Sequence, residues 1–196
     1  MIFARLVSVG VTSAVLVLAA PGMLAQSSTW KADPNHSEVD FSITHLGIAN
    51  VHGRLGKIDA TVVFNDQDVT QSSVKATIHM DGVDTGVAAR DNDLKGANFF
   101  DVDHFSTATF TSTSVAKGGS GLQVSGNLTI KGVTKPVVLD VEGPKGPVSG
   151  MDKKQHVGFE ATTTLHRTDF GIAPNMPPAM VGDDVKVTIE MDLAKQ

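Results

Sequence analysis

The stretch Leu122-Gln123-Val124-Ser125-Gly126-Asn127-Leu128-Thr129-Ile130, then Lys131-Gly132-Val133, then Val137-Val138-Leu139-Asp140-Val141, decides the fold. Positions 122, 124, 128 and 130 are apolar and the residues between them are polar, with Gly126 holding the remaining inner place. Side chains on a strand point alternately to opposite faces, so this period of two describes a strand with one buried face. The second run, Val137, Leu139 and Val141, repeats the pattern after a turn centred on Gly132. A link that short makes consecutive strands pair antiparallel.

The same pattern recurs outward in both directions. Val39, Phe41 and Ile43 alternate with polar residues, as do Ile58, Ala60, Val62 and Phe64, and then Val74, Ala76, Ile78 and Met80. Ala108 with Phe110 marks a further strand. Val157, Phe159, Ala161, Thr163 and Leu165 form another, and Val185, Val187, Ile189, Met191 and Leu193 close the set. Turn chemistry separates them at Asn65-Asp66-Gln67-Asp68, at Lys117-Gly118-Gly119-Ser120-Gly121 and at Lys131-Gly132-Val133. Gly143-Pro144-Lys145-Gly146-Pro147 with Ser149-Gly150 predicts a longer hairpin connection. Eight antiparallel strands close into a barrel or fold into a sandwich, and closure removes exposed edges. The expected class is therefore all-β: an eight-stranded antiparallel barrel with a short helical insertion.

The insertion lies between Val83 and Phe100, where apolar and polar residues mix without alternation. Asp84-Thr85 offers a cap, and Ala88, Ala89 and Leu94 suit one or two short helices beside a barrel opening. Pro174-Asn175-Met176-Pro177-Pro178-Ala179-Met180 holds three prolines and cannot be a central strand, so a surface loop is expected there.

At the N-terminus Met1–Arg5 carries one positive charge, and Leu6–Ala20 is an apolar run that Pro21-Gly22 breaks before Ala25-Gln26. That layout predicts a secretory signal peptide over 1–25 and a mature barrel domain over 26–196, placed in a periplasm or secreted. The run is shorter than the roughly 20 residues a bilayer-spanning helix needs. Removing Arg5 takes the formal charge from −5 to −6. A mildly acidic chain without a basic run argues against nucleic acid as a partner. Cysteine is absent, which excludes disulfides and thiol chemistry.

An eight-stranded barrel encloses either packed side chains or one small ligand. The inward series consists of Val, Ile, Leu, Phe and Met, so an apolar ligand or a simple core fits equally well. Phe41, Ile43, Ile78, Phe99, Phe100, Phe110, Leu128, Ile130, Leu139, Phe159 and Ile189 are the expected lining. Two charged clusters, Arg90-Asp91 and Arg167-Thr168-Asp169-Phe170-Gly171, are suited to loop-fixing ion pairs or to a polar rim. His45, Arg90 and Arg167 are the candidates for contact with a ligand head group. Seven histidines (His36, His45, His52, His79, His104, His156 and His166) show neither H-x-H nor H-x-x-x-H spacing, nor an acidic partner at ligand spacing. His45 and His52, seven apart, would fall on opposite faces of one unbroken strand. No metal set, cofactor or catalytic residue is assigned, and no G-x-S-x-G elbow is present.

The chain resembles the YceI-like, or polyisoprenoid-binding, family in five blocks that fall in order. They include Asp33-Pro34-Asn35-His36-Ser37-Glu38-Val39-Asp40-Phe41 with Thr44-His45-Leu46-Gly47 and Val51-His52-Gly53-Arg54. Asp84-Thr85-Gly86, Arg90-Asp91-Asn92-Asp93-Leu94-Lys95 and Phe99-Phe100-Asp101-Val102 follow. Gly126 to Val137, Gly158-Phe159 and Arg167-Thr168-Asp169-Phe170-Gly171-Ile172 complete the match. His104-Phe105-Ser106 and Leu55-Gly56 depart from the pattern the family usually shows there. The resemblance implies an extended, lipocalin-like antiparallel barrel that accommodates an isoprenoid lipid, quinone-like or polyprenyl, in an exported bacterial protein linked to stress response. It also implies a homodimer, and delivery of such a cargo implies transient membrane contact.

The expected function is a non-enzymatic carrier of an isoprenoid or other long-chain lipid. Its rivals are a metal- or histidine-dependent enzyme acting on a lipid or stress metabolite, and a secreted interaction protein with a filled core.

Overall fold

The computed structural model describes residues 27–119 and 121–196. The leader expected over 1–25 lies outside these residues. Ten strand segments and one α-helix follow in order: β1 (Ser27–Ala32), β2 (Glu38–His45), β3 (Ala49–Arg54), β4 (Ile58–Asn65), β5 (Ser73–His79), α1 (Ala88–Lys95), β6 (Thr107–Lys117), β7 (Leu122–Ile130), β8 (Val133–Ser149), β9 (Gln155–His166) and β10 (Val181–Lys195). Every pairing is antiparallel, and neighbours follow chain order from β4 to β10. β1 and β2 are two pieces of one line along β10: Trp30–Ala32 face Lys195–Leu193, and Glu38–His45 face Glu190–Val181. β1 in turn pairs β4, and β2 pairs β3. The ten segments therefore make an eight-stranded closed barrel, sealed where β1 meets both β4 and β10.

β1 and β3 were not among the expected strands, and the reason is compositional. Ser27-Ser28-Thr29-Trp30-Lys31-Ala32 and Ala49-Asn50-Val51-His52-Gly53-Arg54 each carry only one large apolar residue. Their extended state comes from pairing with neighbours rather than from their own alternation. The turn at Leu46–Ile48 also separates His45 from His52: His45 faces Ala49, and His52 faces Ser42. They do not share one strand.

The Gly-Pro segment likewise differs from expectation. β8 runs through it to Ser149, with register shifts between Glu142 and Lys145 and between Lys145 and Val148. Gly143 and Gly146 take positive φ, and Lys145 still pairs Gly158. A bulge leaves its residue out of the ladder, so a proline with no N–H to donate costs nothing there. On β6 a bulge between Ser112 and Ser114 shifts the inner face from Phe110 to Val115, which explains why plain alternation fades after Phe110.

One helix forms, not two. α1 begins three residues after Thr85, and its N-cap Val87 offers no side-chain bond. Asp84 instead accepts from the Gly86 N–H at 2.7 Å, and the Thr85 N–H donates to Asp91 Oδ1 at 2.8 Å. Eight residues are too few for a stable free helix, so α1 depends on these tertiary anchors.

The buried side chains form two clusters inside the barrel. Val39, Ile58, Ala60, Ile78, Met80, Ala108 and Val187 make one; Phe110, Val115, Val124, Leu128, Phe170 and Ile172 make the other. Leu193, only 2 % exposed, faces Ala32 at the seam. Leu193→Ala is expected to cost about 2–5 kcal/mol, the range for a Leu-to-Ala deletion in a core that relaxes only partly. Equilibrium urea unfolding measures it, and a loss well below that range would show that the seam is loosely packed.

Candidate functional site

A cavity of about 340 Å³ occupies the barrel. It is walled by the inward residues of β2, β4, β5, β6, β7, β8, β9 and β10, together with the segment around α1 and the loop before β10. Phe41, Ile43, Ile78, Phe110, Leu128, Ile130, Leu139, Phe159 and Ile189 come from the strands, and Phe99 and Phe100 come from the segment after α1. His45, Arg90 and Arg167 also border it, so all fourteen residues singled out in the sequence lie along one cavity. Met80, the last of the alternating series from Val74, lines it as well, whereas sequence reasoning missed Leu94, Asp93, Thr44, Phe170 and Ile172 as lining. Phe170 and Ile172 sit in non-strand segments where no periodicity marks an inward face. Gly126 fills an inward place with no side chain: a Cβ there would stand 2.3 Å from Phe110 Cζ and 2.6 Å from the Thr111 carbonyl oxygen. The Phe110 ring therefore occupies the space a side chain at position 126 would need.

The opening can be placed from exposure. Among the lining residues only Thr44, His45 and Asp93 are exposed, and all three lie at the end covered by α1. There the outer edge of β3 is unpaired except for the backbone bridge between Arg54 and Asp84. α1 and the loop before β10 cover this end. Arg90 Nε donates to Thr85 Oγ1 at 2.7 Å and an Nη2 proton goes to the Thr85 carbonyl at 3.0 Å. Two of its five N–H groups are thus used, and the other three have no protein partner among the described residues.

Comparison with known proteins gives the same architecture a lineage. The YceI-like domain model matches residues 30–193. The chain belongs to the YceI-like family. The protein YceI of Salmonella arizonae is 35% identical over 184 residues, covering 92% of this chain and 94% of that protein. BcnA of Burkholderia cenocepacia superposes with a TM-score of 0.72 at 24% identity, over 82% of this chain and 98% of its own. A polyisoprenoid-binding domain from Saccharophagus degradans, implicated in plant cell wall breakdown, shares the fold with a TM-score of 0.61 at 13% identity, over 87% and 100%.

Within this YceI-like barrel, Arg167 has a different role from the one expected. It is 3 % exposed, and its guanidinium makes five hydrogen bonds, all to backbone carbonyls. Nε donates to Gly182, Nη1 to Ile172 and Ala173, and Nη2 to Met176 and Val181. Every N–H is committed, so Arg167 has no donor left for a head group. Nor does it pair with Asp169, as adjacency suggested; its fork organises the loop that turns from β9 into β10. That loop is then tied to the α1 segment by the Ala173 N–H donating to the Asn98 carbonyl at 2.7 Å. Lys131 Nζ joins both, donating to the carbonyls of Ala97 at 2.7 Å and Gly171 at 3.2 Å. Arg167→Met should leave five carbonyls short of a donor and destabilise the fold by at least about 2 kcal/mol, since each buried unpaired group costs roughly 1–3 kcal/mol. Arg167→Lys should recover only part of that in thermal unfolding. Full recovery by lysine would show that charge, not the planar fork, is what matters.

The histidines also look different once folded. His36, His79, His104, His156 and His166 each stand beside an aspartate: Asp33, Asp59, Asp101, Asp152 with Asp192, and Asp184 respectively. Two of these pairs, Asp33/His36 and Asp101/His104, are three residues apart and were visible in the sequence. None of these five histidines lines the cavity.

Asp91 fixes the α1 end electrostatically. The Thr85 hydroxyl and then the Thr85 N–H donate to its carboxylate and hold its pKa below the usual 3.8. A folded value lower than the unfolded one contributes stability above the ordinary carboxylate range, and that contribution is lost as pH falls through the depressed value. The Thr85 amide resonance should therefore titrate with a midpoint below 3.8, and Thr85→Val should raise that midpoint. A Thr85 amide that titrates at the ordinary value would break this account.

Proposed function

We propose that this chain is an exported, non-enzymatic carrier that holds an isoprenoid lipid, quinone-like or polyprenyl, in the barrel cavity. The observation that carries the reading is the cavity itself: a volume of about 340 Å³ walled by aliphatic and aromatic side chains, with its exposed polar groups gathered at one end. Such a site buries a chain and leaves a head group at the rim. Each CH₂ removed from water contributes about 0.8 kcal/mol, so a long chain is retained by burial alone. An unfilled space of this size also speaks against a purely structural core. Arg90, with three free N–H groups, and His45 supply the rim contacts. The fold shared with a polyisoprenoid-binding domain supports the ligand class. The N-terminal pattern over 1–25 supports export to a periplasm or beyond it.

Transient membrane contact fits the same end of the barrel. Leu46, Ile48 and Met180 are exposed there, Ile48 at 86 %, and the Leu46 N–H donates to the Met180 carbonyl. These side chains stand next to His45 at the opening.

The test is native mass spectrometry with organic extraction of the mature protein from its own exported compartment. One lipid per chain with isoprenoid fragmentation is the expected result. Phe110→Asp and Ile130→Asp should each empty the cavity while circular dichroism stays that of the parent. An unchanged lipid load in those folded variants, or a clean apo mass after incubation with quinones and polyprenols, would overturn the carrier reading.

A further inference from the structure

The outer face of the barrel carries a cluster that the cavity does not explain. Asp33 and His36 lie in the break between β1 and β2, and Asp192 lies on β10. Each offers one ligand atom, and the three atoms fall within 4.8 Å of one another. His36 Nδ1 is 2.9 Å from Asp33 Oδ2. Behind them stands His156 on β9, with Nδ1 2.6 Å from Asp192 Oδ1 and Nε2 3.1 Å from Asp152 Oδ1. Among the described residues no lysine or arginine forms an ion pair with Asp33, Asp152 or Asp192; only the two histidines do. The Asp33 and Asp192 carboxylates therefore meet beside His36 with no lysine or arginine paired to either. Backbone bonds hold the ligands in place: the Asp33 N–H donates to the Asp192 carbonyl at 2.8 Å, and the Asp192 N–H to Ser37 Oγ at 3.1 Å.

We infer that Asp33, His36 and Asp192 form a binding site for a divalent transition-metal ion, with zinc as the best match. Imidazole with two carboxylates is a donor set that zinc accepts, and solvent completes the coordination. His156, held between Asp192 and Asp152, is the outer partner that fixes the Asp192 carboxylate, an arrangement usual around metal ligands. The His36 side chain is 69% exposed and free to rotate onto the ion, which closes the present spread to bonding distance.

The site also has a mechanical consequence. Asp33 follows directly on β1, whose pairing with β10 consists of Trp30, Lys31 and Ala32 facing Lys195, Ala194 and Leu193. An ion shared by Asp33, His36 and Asp192 clamps the β1–β2 break onto β10 at that seam. Binding to the folded barrel alone raises its stability by mass action.

Isothermal titration of tag-free, EDTA-stripped full chain with zinc chloride tests the inference. One ion per chain is expected, with about micromolar affinity or better. His36→Ala, which removes an exposed side chain, and Asp192→Asn should each weaken binding at least about tenfold, a loss that corresponds to one missing ligand. His104→Ala removes a histidine that pairs with an aspartate in the same way but lies elsewhere, and should leave binding unchanged. Zinc should raise the thermal midpoint of the parent and of His104→Ala, but not of His36→Ala. Absence of stoichiometric zinc, or equal weakening by His104→Ala, would overturn the site. Because the cluster lies outside the cavity, lipid retention by His36→Ala is expected to equal that of the parent.

Discussion

Everything inside this molecule depends on a short ladder at one place, where β1 crosses from β4 to β10 and turns a sheet into a barrel. Trp30, Lys31 and Ala32 are all that face β10 there. Without them β4 and the Leu193–Lys195 end of β10 would carry the unpaired N–H and C=O groups of a sheet edge. The seam is reinforced by its side chains: Trp30 is buried, Lys195 places its ammonium 5.7 Å from the Trp30 ring centroid, and Leu193, opposite Ala32, is buried as well. A cation over an indole face is worth about 0.5–1 kcal/mol at an exposed site, so apolar burial is the larger part of this reinforcement.

The other end is held by different means. Strand pairing stops at β3, and what covers the gap is a short helix and a loop that could not hold their shapes alone. Arg167 spends its whole guanidinium on five carbonyls of that loop, and Lys131 and Asn98 tie the loop to the α1 segment. These are carbonyls that no strand partner reaches, so the side chains replace a missing ladder. This is why an arginine that looks like a rim residue in the sequence is a structural one in the fold.

The barrel was legible because its wall obeys period two almost without exception. From Val39 on β2 to Leu193 on β10, the alternating apolar residues read from the sequence are the ones that face inward, Val157 being absent from the lining. What failed to read were features decided by neighbours rather than by local pattern. β1 and β3 lack alternation and are strands because β4, β10 and β2 pair with them. The Gly-Pro pairs of β8 looked like a loop because their bulges suspend the ladder without ending the strand. Of the candidate site, the aromatic and aliphatic lining followed from alternation, whereas Phe170 and Ile172 enter from segments with no period to follow. The convergence of Asp33, His36 and Asp192 spans more than 150 residues of chain, and no spacing rule reaches that far.

The two ends also decide where a ligand can pass. Opening the seam would expose a row of backbone groups and break the closure of the whole sheet, a cost shared by every strand. Opening the covered end would require only that α1 or its loop shift, breaking side-chain bonds such as those of Arg90 to Thr85 or Lys131 to Ala97, while the barrel ladder stays whole. Segments held by a few such bonds are the ones that open at low free energy. The exposed lining residues Thr44, His45 and Asp93 sit at that end, and so do the exposed Leu46 and Ile48. On the proposed carrier reading, the path for an apolar molecule into the cavity runs past α1, where polar contacts can be exchanged for contacts with a head group, and not through the seam.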